Sequence, residues 1–380
     1  MMGGVSTASS TSPVRMLRVL TGERTDPPPV VLHSWGDYKI EFAGLHPKFQ
    51  PYLGGEELAE IERTFYERFR PDWMHLGSAG WRGLWSRPRR VEGRRAFIRS
   101  ADGRRWIEIR DDYALGDPDE IPSQEPLCPF RLDDRQAIDD YYAANQLTVQ
   151  DVLESGRFEH LKSLAATHGD RVLIAVNDGT PGWLPGYSFE AMVIACLEKP
   201  DLVAYNIFKD CERFLNVVRA ARLCGAHAYI FSEGFPFSLD ILSPSMHERL
   251  EGDARRWFYA EVRKIGVLPI GYWLGDVRPN MALINSLDMA GLMIEEDKKG
   301  FVLDPLEIRR CLHPQVCLFG NLDSALLLHG PIEAIRAAVR RQMQAAAEGP
   351  FVLANGSPLI LGTPPEHIDA FIHAARSEFR

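Results

Sequence analysis

Polar and ionisable residues recur in this chain wherever a short apolar run gives out. His33 and Asp37, His75 and Ser78, Asn177 and Asp178, Ser232 and Glu233, Tyr272 and Asp276, Glu295 and Glu296, Asn321 and Asp323, and Asn355 and Ser357 form eight such pairs. Two imidazoles among several carboxylates are an adequate donor set for a divalent metal such as zinc or manganese. The same groups can equally supply a general acid and a general base. Glu233 is the strongest single candidate, because it ends the run Ala228-Tyr229-Ile230-Phe231, where burying a carboxylate is costly without a partner or a proton. The expected catalytic residues are Glu233, Asp276, His75 and Tyr272; the expected substrate-binding residues are His33, Asn177, Asp178, Asn321, Asn355 and Ser357.

Each residue also has a plainer reading. Asp178 in Asn177-Asp178-Gly179-Thr180-Pro181-Gly182 can simply shape a turn, as these residue types do for backbone reasons. His33 and His75 follow apolar stretches, where a histidine is often a hydrogen-bonded packing residue. Alternation along a strand sends Glu295 and Glu296 in opposite directions, so at most one of them faces a common site. Cys224-Gly225-Ala226-His227 lies at a helix-to-strand turn, at the opposite end from the other candidates, and reads as structural.

To act together, eight run ends must be gathered by the fold. The runs are Val30–Trp35, Trp73–Ser78, Val172–Asn177, Ala228–Glu233, Val267–Trp273, Gly291–Glu295, Val316–Asn321 and Phe351–Asn355. Between them lie stretches of helical period, among them Glu56–Arg70, Ser188–Glu198, Leu202–Leu223, Pro244–Lys264, Pro305–Cys311 and Pro331–Glu348. Strand then helix, eight times over, predicts an α/β fold of the closed (β/α)8 TIM-barrel type, whose chemistry sits at the carboxyl ends of its strands. Arg95–Ser100 and Arg105–Arg110, joined by Ala101-Asp102-Gly103-Arg104, predict a β-hairpin inserted after the second strand, within residues 79–125. That segment is rich in arginine, which fits a solvated hairpin surface or a lid attracting an anionic substrate or partner. Residues 26–380 are then the barrel, and the Ser/Thr-rich, acid-poor residues 1–25 are expected to be a disordered tail.

Composition narrows the classes of function. The 380 residues are 45% hydrophobic and 25% charged, with a net charge of -9. Such a balance fits a soluble globular protein and opposes a sequence-independent grip on nucleic acid, which needs clustered cations for phosphates. No apolar run approaches the roughly 18 residues that a membrane span requires. The six cysteines, at 128, 196, 211, 224, 311 and 317, contain no CxxC pair and read as reduced thiols of a cytoplasmic protein. No GxxxxGK[ST], strand-following GxGxxG or GxSxG pattern appears, which disfavours nucleotide-driven chemistry and serine hydrolysis.

Leu318-Phe319-Gly320-Asn321-Leu322-Asp323 followed by Leu326-Leu327-Leu328-His329-Gly330-Pro331, and Phe351–Pro358 followed by Gly362-Thr363-Pro364-Pro365-Glu366-His367-Ile368-Asp369-Ala370, carry a family resemblance. So do Leu242-Ser243-Pro244 and Phe69-x-x-Asp72. The chain resembles, from about residue 26 onward, the superfamily of uroporphyrinogen decarboxylase and the zinc-dependent methyltransferases that act on methylcobamides and thiols. The resemblance implies the same eight-stranded barrel. Its chemistry carries over mostly as negatives. The decarboxylase branch has an arginine-rich segment for substrate carboxylates, where Val31-Leu32-His33-Ser34-Trp35-Gly36-Asp37-Tyr38 has none, and an aspartate after its second strand, where this chain has Gly77-Ser78-Ala79-Gly80. The methyltransferase branch holds zinc by a His-x-Cys pair and a further cysteine; here the positions read Tyr272-Trp273-Leu274-Gly275 and Gly356-Ser357.

The leading expectation is a lyase, decarboxylase-like, cleaving a C–C bond in an organic acid or aromatic compound by acid/base catalysis. The alternative is a methyltransferase that demethylates a methoxylated or methylated compound toward a corrinoid or folate, with a corrinoid protein as partner and zinc on His, Asp or Glu ligands. A third is a non-catalytic or chaperone-like relative. All three imply a small-molecule ligand with neither nucleic acid nor membrane as partner, and a homodimer would be the common assembly.

Overall fold

The computed structural model describes residues 12–80, 82–120, 126–233, 238–297 and 300–377. Ten strands form: β1 (Trp73–Leu76), β2 (Arg89–Glu92), β3 (Arg95–Arg99), β4 (Trp106–Ile109), β5 (Leu173–Val176), β6 (Ala228–Glu233), β7 (Leu268–Trp273), β8 (Gly291–Ile294), β9 (Cys317–Phe319) and β10 (Phe351–Val352). Seven of them make one parallel sheet in the order β1-β5-β6-β7-β8-β9-β10, so each strand lies beside its successor in the chain. Helices cross over between successive strands, as parallel pairing demands.

The first expected strand, Val30–Trp35, is not a regular one. Val30 makes a single parallel bridge to Leu353. The Val31 amide donates to the Leu353 carbonyl at 2.9 Å, and the Asp72 amide donates to the Val30 carbonyl at 2.8 Å. The Val30 amide turns instead to the Asp72 carboxylate at 2.8 Å, so a side chain takes the place of a ladder bond.

Alternation divides the sheet into two layers. Trp73, Ala175, Ile230, Ile270, Met293 and Phe319 pack with one another on the concave side. Tyr229, Phe231, Trp273, Ile294 and Leu318 face the surrounding helices. Phe231 is central to this outer layer, with Tyr229, Phe258 and Tyr259 rings at centroid distances of 4.8, 5.0 and 5.5 Å. The covering helices include Gly55–Phe69, Pro200–Leu223 and Ile332–Ala346, and Pro244–His247 runs through a π-type turn at Glu248–Gly252 into Asp253–Lys264.

Two expectations need correcting. Part of the segment expected to be a disordered tail is the helix Ser12–Leu20, while residues 1–11 lie outside the described residues. Met16, Val19 and Leu20 are buried among the concave-side residues at the amino ends of the strands, and that burial orders the helix. Arg95–Arg99 and Trp106–Ile109 do pair antiparallel, but β2 joins them in a three-stranded sheet. Its Ala96, Ile98, Ile107 and Ile109 pack on Ile40, Phe49 and Tyr52. No described helix is long and apolar enough to cross a membrane.

Candidate active site at the strand ends

Three aromatic side chains converge inside the sheet, above its apolar layer. The His33 ring lies 5.2 Å from the His75 ring and 4.8 Å, edge-on, from that of Tyr272. His75 and Tyr272 share the inward phase of Trp73 and Ile270, two residues earlier in their strands. Hydrogen bonding distinguishes the two imidazoles. The Ser34 amide donates to His75 Nδ1 at 3.3 Å, which leaves the His75 proton on Nε2. His33 Nδ1 meets the Gly356 carbonyl at 2.9 Å; a carbonyl only accepts, so His33 carries its proton on Nδ1. Burial, with His33 and Lys39 nearby, holds His75 well below the usual histidine range and therefore neutral. Burial also pushes the Tyr272 phenol well up, helped by Glu295 and opposed by a hydrogen bond with Ser357. Tyr272 is consequently a proton carrier at neutral pH.

Asn355 and Asn321, expected to bind substrate, are engaged by main chain. Asn355 accepts from the His33 amide at 2.9 Å and donates to the His33 and Ser357 carbonyls, each at 2.8 Å. Asn321 donates to the carbonyls of Leu303 at 2.9 Å and Glu295 at 3.2 Å. Their amides are occupied in positioning His33 and the Glu295 segment. Gly356 is required by close approach: a Cβ there would lie 2.5 Å from the Glu296 amide nitrogen. Asn177 faces Ser232, its Nδ2 3.4 Å from the Ser232 hydroxyl. Asp178 is nearly enclosed and sits 3.2 Å from Arg157; burial raises its carboxyl while Arg157 and Ser78 counteract.

Glu233 does not join this group. Ser232 takes the inward phase, so Glu233, one residue on, points out between the sheet and the helices. It is fully buried there, accepting from the Tyr259 hydroxyl at 2.9 Å and lying 3.2 Å from Arg255 Nε. Arg255 also meets Glu251 at 3.2 Å and the Pro181 carbonyl at 2.9 Å, and Glu251 meets His247 Nδ1 at 2.6 Å. Burial raises the Glu233 carboxyl and Arg255 pulls it back; burial would lower Arg255, but Glu233 and Glu251 outweigh it and keep the guanidinium charged. Asp276 is likewise elsewhere, held ionised by Arg278 at 2.8 and 2.9 Å. Of the four expected catalytic residues, the fold brings together only His75 and Tyr272.

Sequence reasoning missed Lys39 and Glu62. Lys39 Nζ donates to Glu62 at 2.7 Å and to the His75 carbonyl, anchoring the end of β1 from behind. A lysine in the apolar register of the Gly36–Phe42 helix was the available signal. Glu295 accepts from the Gly275 amide at 2.8 Å, which ties the ends of β7 and β8. His227 at the opposite end accepts from the Ile174 amide at 3.0 Å, a packing role.

Zinc, which the methyltransferase resemblance implies, does not fit these donors. Tyr272-Trp273-Leu274-Gly275 and Gly356-Ser357 stand where that resemblance places a histidine and two cysteines, and Tyr272 is engaged with Ser357. Among the described residues no three His, Cys, Asp or Glu side chains are grouped to hold a metal ion.

An α/β enzyme fold with a buried proton-carrying group at its strand ends is thus defined. Residues 146–378 match the model of the uroporphyrinogen decarboxylase (URO-D) family, and the chain belongs to that family. Over 97% of this chain and 99% of the other, the structure is similar to that of a methyltransferase from Methanosarcina mazei, with a TM-score of 0.70 at 18% identity. A likeness to a putative vitamin-B12-independent methionine synthase from Listeria monocytogenes covers 58% of this chain and 67% of that one, with a TM-score of 0.39 at 14% identity, too remote to carry an argument. A comparison with curated proteins finds no match.

Proposed function

We propose that this chain is an enzyme that removes a methyl group from a methoxylated or methylated small molecule and passes it to a corrinoid or folate acceptor. It would work at the open end of a complete (β/α)8 barrel, in which the Val30 bridge and the Asp72-to-Val30 bond close the ring between β10 and β1. The observation that carries the reading is Tyr272, a buried phenol kept protonated beside the His33 ring and the neutral imidazole of His75. When a C–O bond to a methyl group breaks, the electron pair stays on oxygen, and a donor poised there stabilises the leaving group. Tyr272 supplies that proton, with Ser357 orienting its hydroxyl. His75 Nε2–H offers a donor to hold the substrate, with the His33 ring packed beside it. The full-length likeness to a methyltransferase supports the choice of reaction.

A C–C lyase is a second reading, supported by the same donor set, since a protonated tyrosine also suits a developing carbanion. The test is incubation of the protein with methoxylated aromatics and methylated amines, together with reduced cobalamin or tetrahydrofolate. Methylated acceptor and demethylated product, both lost in Tyr272→Phe, are the expected result. Carbon dioxide release from an aromatic or organic acid, with no methylated acceptor, would overturn methyl transfer in favour of the lyase.

A further inference from the structure

The outer face of the three-stranded sheet is coated with guanidinium groups. Of the nine arginines in residues 87–110, Arg87, Arg89, Arg105 and Arg110 pair with Glu120, Glu57, Asp117 and Asp112, and Arg90, Arg94, Arg95, Arg99 and Arg104 stand beside Glu92, Asp102 and Glu108, in a chain whose net charge is -9. Strand register puts Arg90, Phe97 and Glu108 in one cross-strand row and Arg99 with Trp106 in the next, on the side opposite buried Ala96, Ile98, Ile107 and Ile109. The arginines stack on the rings. Arg90 lies 5.1 Å from the Phe97 centroid and 4.6 Å from that of Trp106, Arg95 5.0 Å from Phe97, and Arg99 4.8 Å from Trp106.

Stacking fixes each planar guanidinium, so less side-chain freedom is lost when a carboxylate meets its N–H groups. Arg95 is met by Glu108 and Arg90 by Glu92, but Arg94 and Arg99 have no acidic partner among the described residues. The opposite, buried face of the sheet rests on Ile40, in the helix that follows His33.

We propose that this face docks a separate protein through an acidic surface. Glu92 and Glu108, set among the arginines, would repel a continuous track of phosphates but suit the mixed charges of a protein face. Phe97 is only 6% exposed beneath its arginines, so its ring is not offered to lipid. The docking is independent of which reaction the strand-end site performs.

The test uses the full chain and three probes at 20 and 200 mM NaCl: a fluorescent 20-residue poly-Glu peptide, a DNA duplex of equal charge, and phosphatidylserine vesicles. The expected result is salt-sensitive binding of poly-Glu, stronger than that of DNA or vesicles, and weakened at least tenfold in Arg94→Glu/Arg99→Glu. Arg104→Glu, whose side chain is 85% exposed, gives a second charge reversal that leaves the stacked rings alone and should weaken binding in the same direction. No poly-Glu binding at low salt, binding unchanged in the variants, or preference for DNA or vesicles would overturn the proposal.

Discussion

Two clusters of buried ionisable groups lie at the strand ends, and one residue of phase separates them. The inward cluster joins the His33 ring to the neutral imidazole of His75 and the protonated phenol of Tyr272. The outward cluster, Glu233, Arg255, Glu251 and His247, is an ion network in which Arg255 is shared by two carboxylates. Proton donors and acceptors without compensating countercharges suit a site that must exchange protons. Charges neutralised by their neighbours suit a joint between layers, and Arg255 links β6, its covering helix and the Pro181 loop in this way. Under the proposed function, reactivity belongs to the first cluster and stability to the second.

The largest expected effect that would break this assignment is in the outward cluster. Arg255→Leu leaves two buried carboxylates without their cation and should cost about 3–5 kcal/mol of stability. Chemical denaturation measures it; a loss under about 1 kcal/mol would show the network to be incidental. Next comes Tyr272→Phe, which should lower turnover at least about a hundredfold while costing about 1 kcal/mol through the lost Ser357 hydrogen bond. Turnover near the wild-type value would remove Tyr272 from the chemistry.

A pH effect of intermediate size follows from the buried histidines. Burial holds His160 down to about 4, and His75 is lowered in the same direction. The unfolded chain takes up these protons near pH 6.5 and the folded chain does not, so stability present above that pH is lost as pH falls. Between pH 7.5 and 5, His160 alone should account for about 2 kcal/mol. Denaturation of wild type and His160→Gln at the two pH values checks it, the variant being expected to lose less. Smallest is Glu233→Gln. Gln keeps an acceptor for Tyr259, so about 1–2 kcal/mol of stability and little turnover should be lost. A hundredfold drop in turnover with an unchanged melt would return Glu233 to the site and collapse the distinction between the clusters.

Much of this was legible in the chain. Apolar runs bounded by turn residues marked all seven strands of the parallel sheet, because burial on both faces demands continuous hydrophobicity there. His33, His75, Tyr272 and Ser357 were identifiable as strand-end residues by position alone. The turn Ala101-Asp102-Gly103-Arg104 was readable because Gly103 adopts a φ of +71°, which favours glycine. The Ser12–Leu20 helix was not, since its order depends on a surface supplied by the strands of the parallel sheet.

By itself the sequence determined that polar groups end the runs and that the parallel strands follow in chain order, because local periodicity and turn chemistry encode both. Only the tertiary structure decided which way each terminal residue points and what it meets. Glu233 and Ser232 differ by a single step, and a polar side chain at the end of a fully apolar run carries no alternation to fix its side. Partners 22 to 322 residues away settle the rest: Arg255 for Glu233, Ser357 for Tyr272 and Asn355 for His33. Such pairings are set by packing between the sheet and its covering layers, which spacing along the chain does not encode.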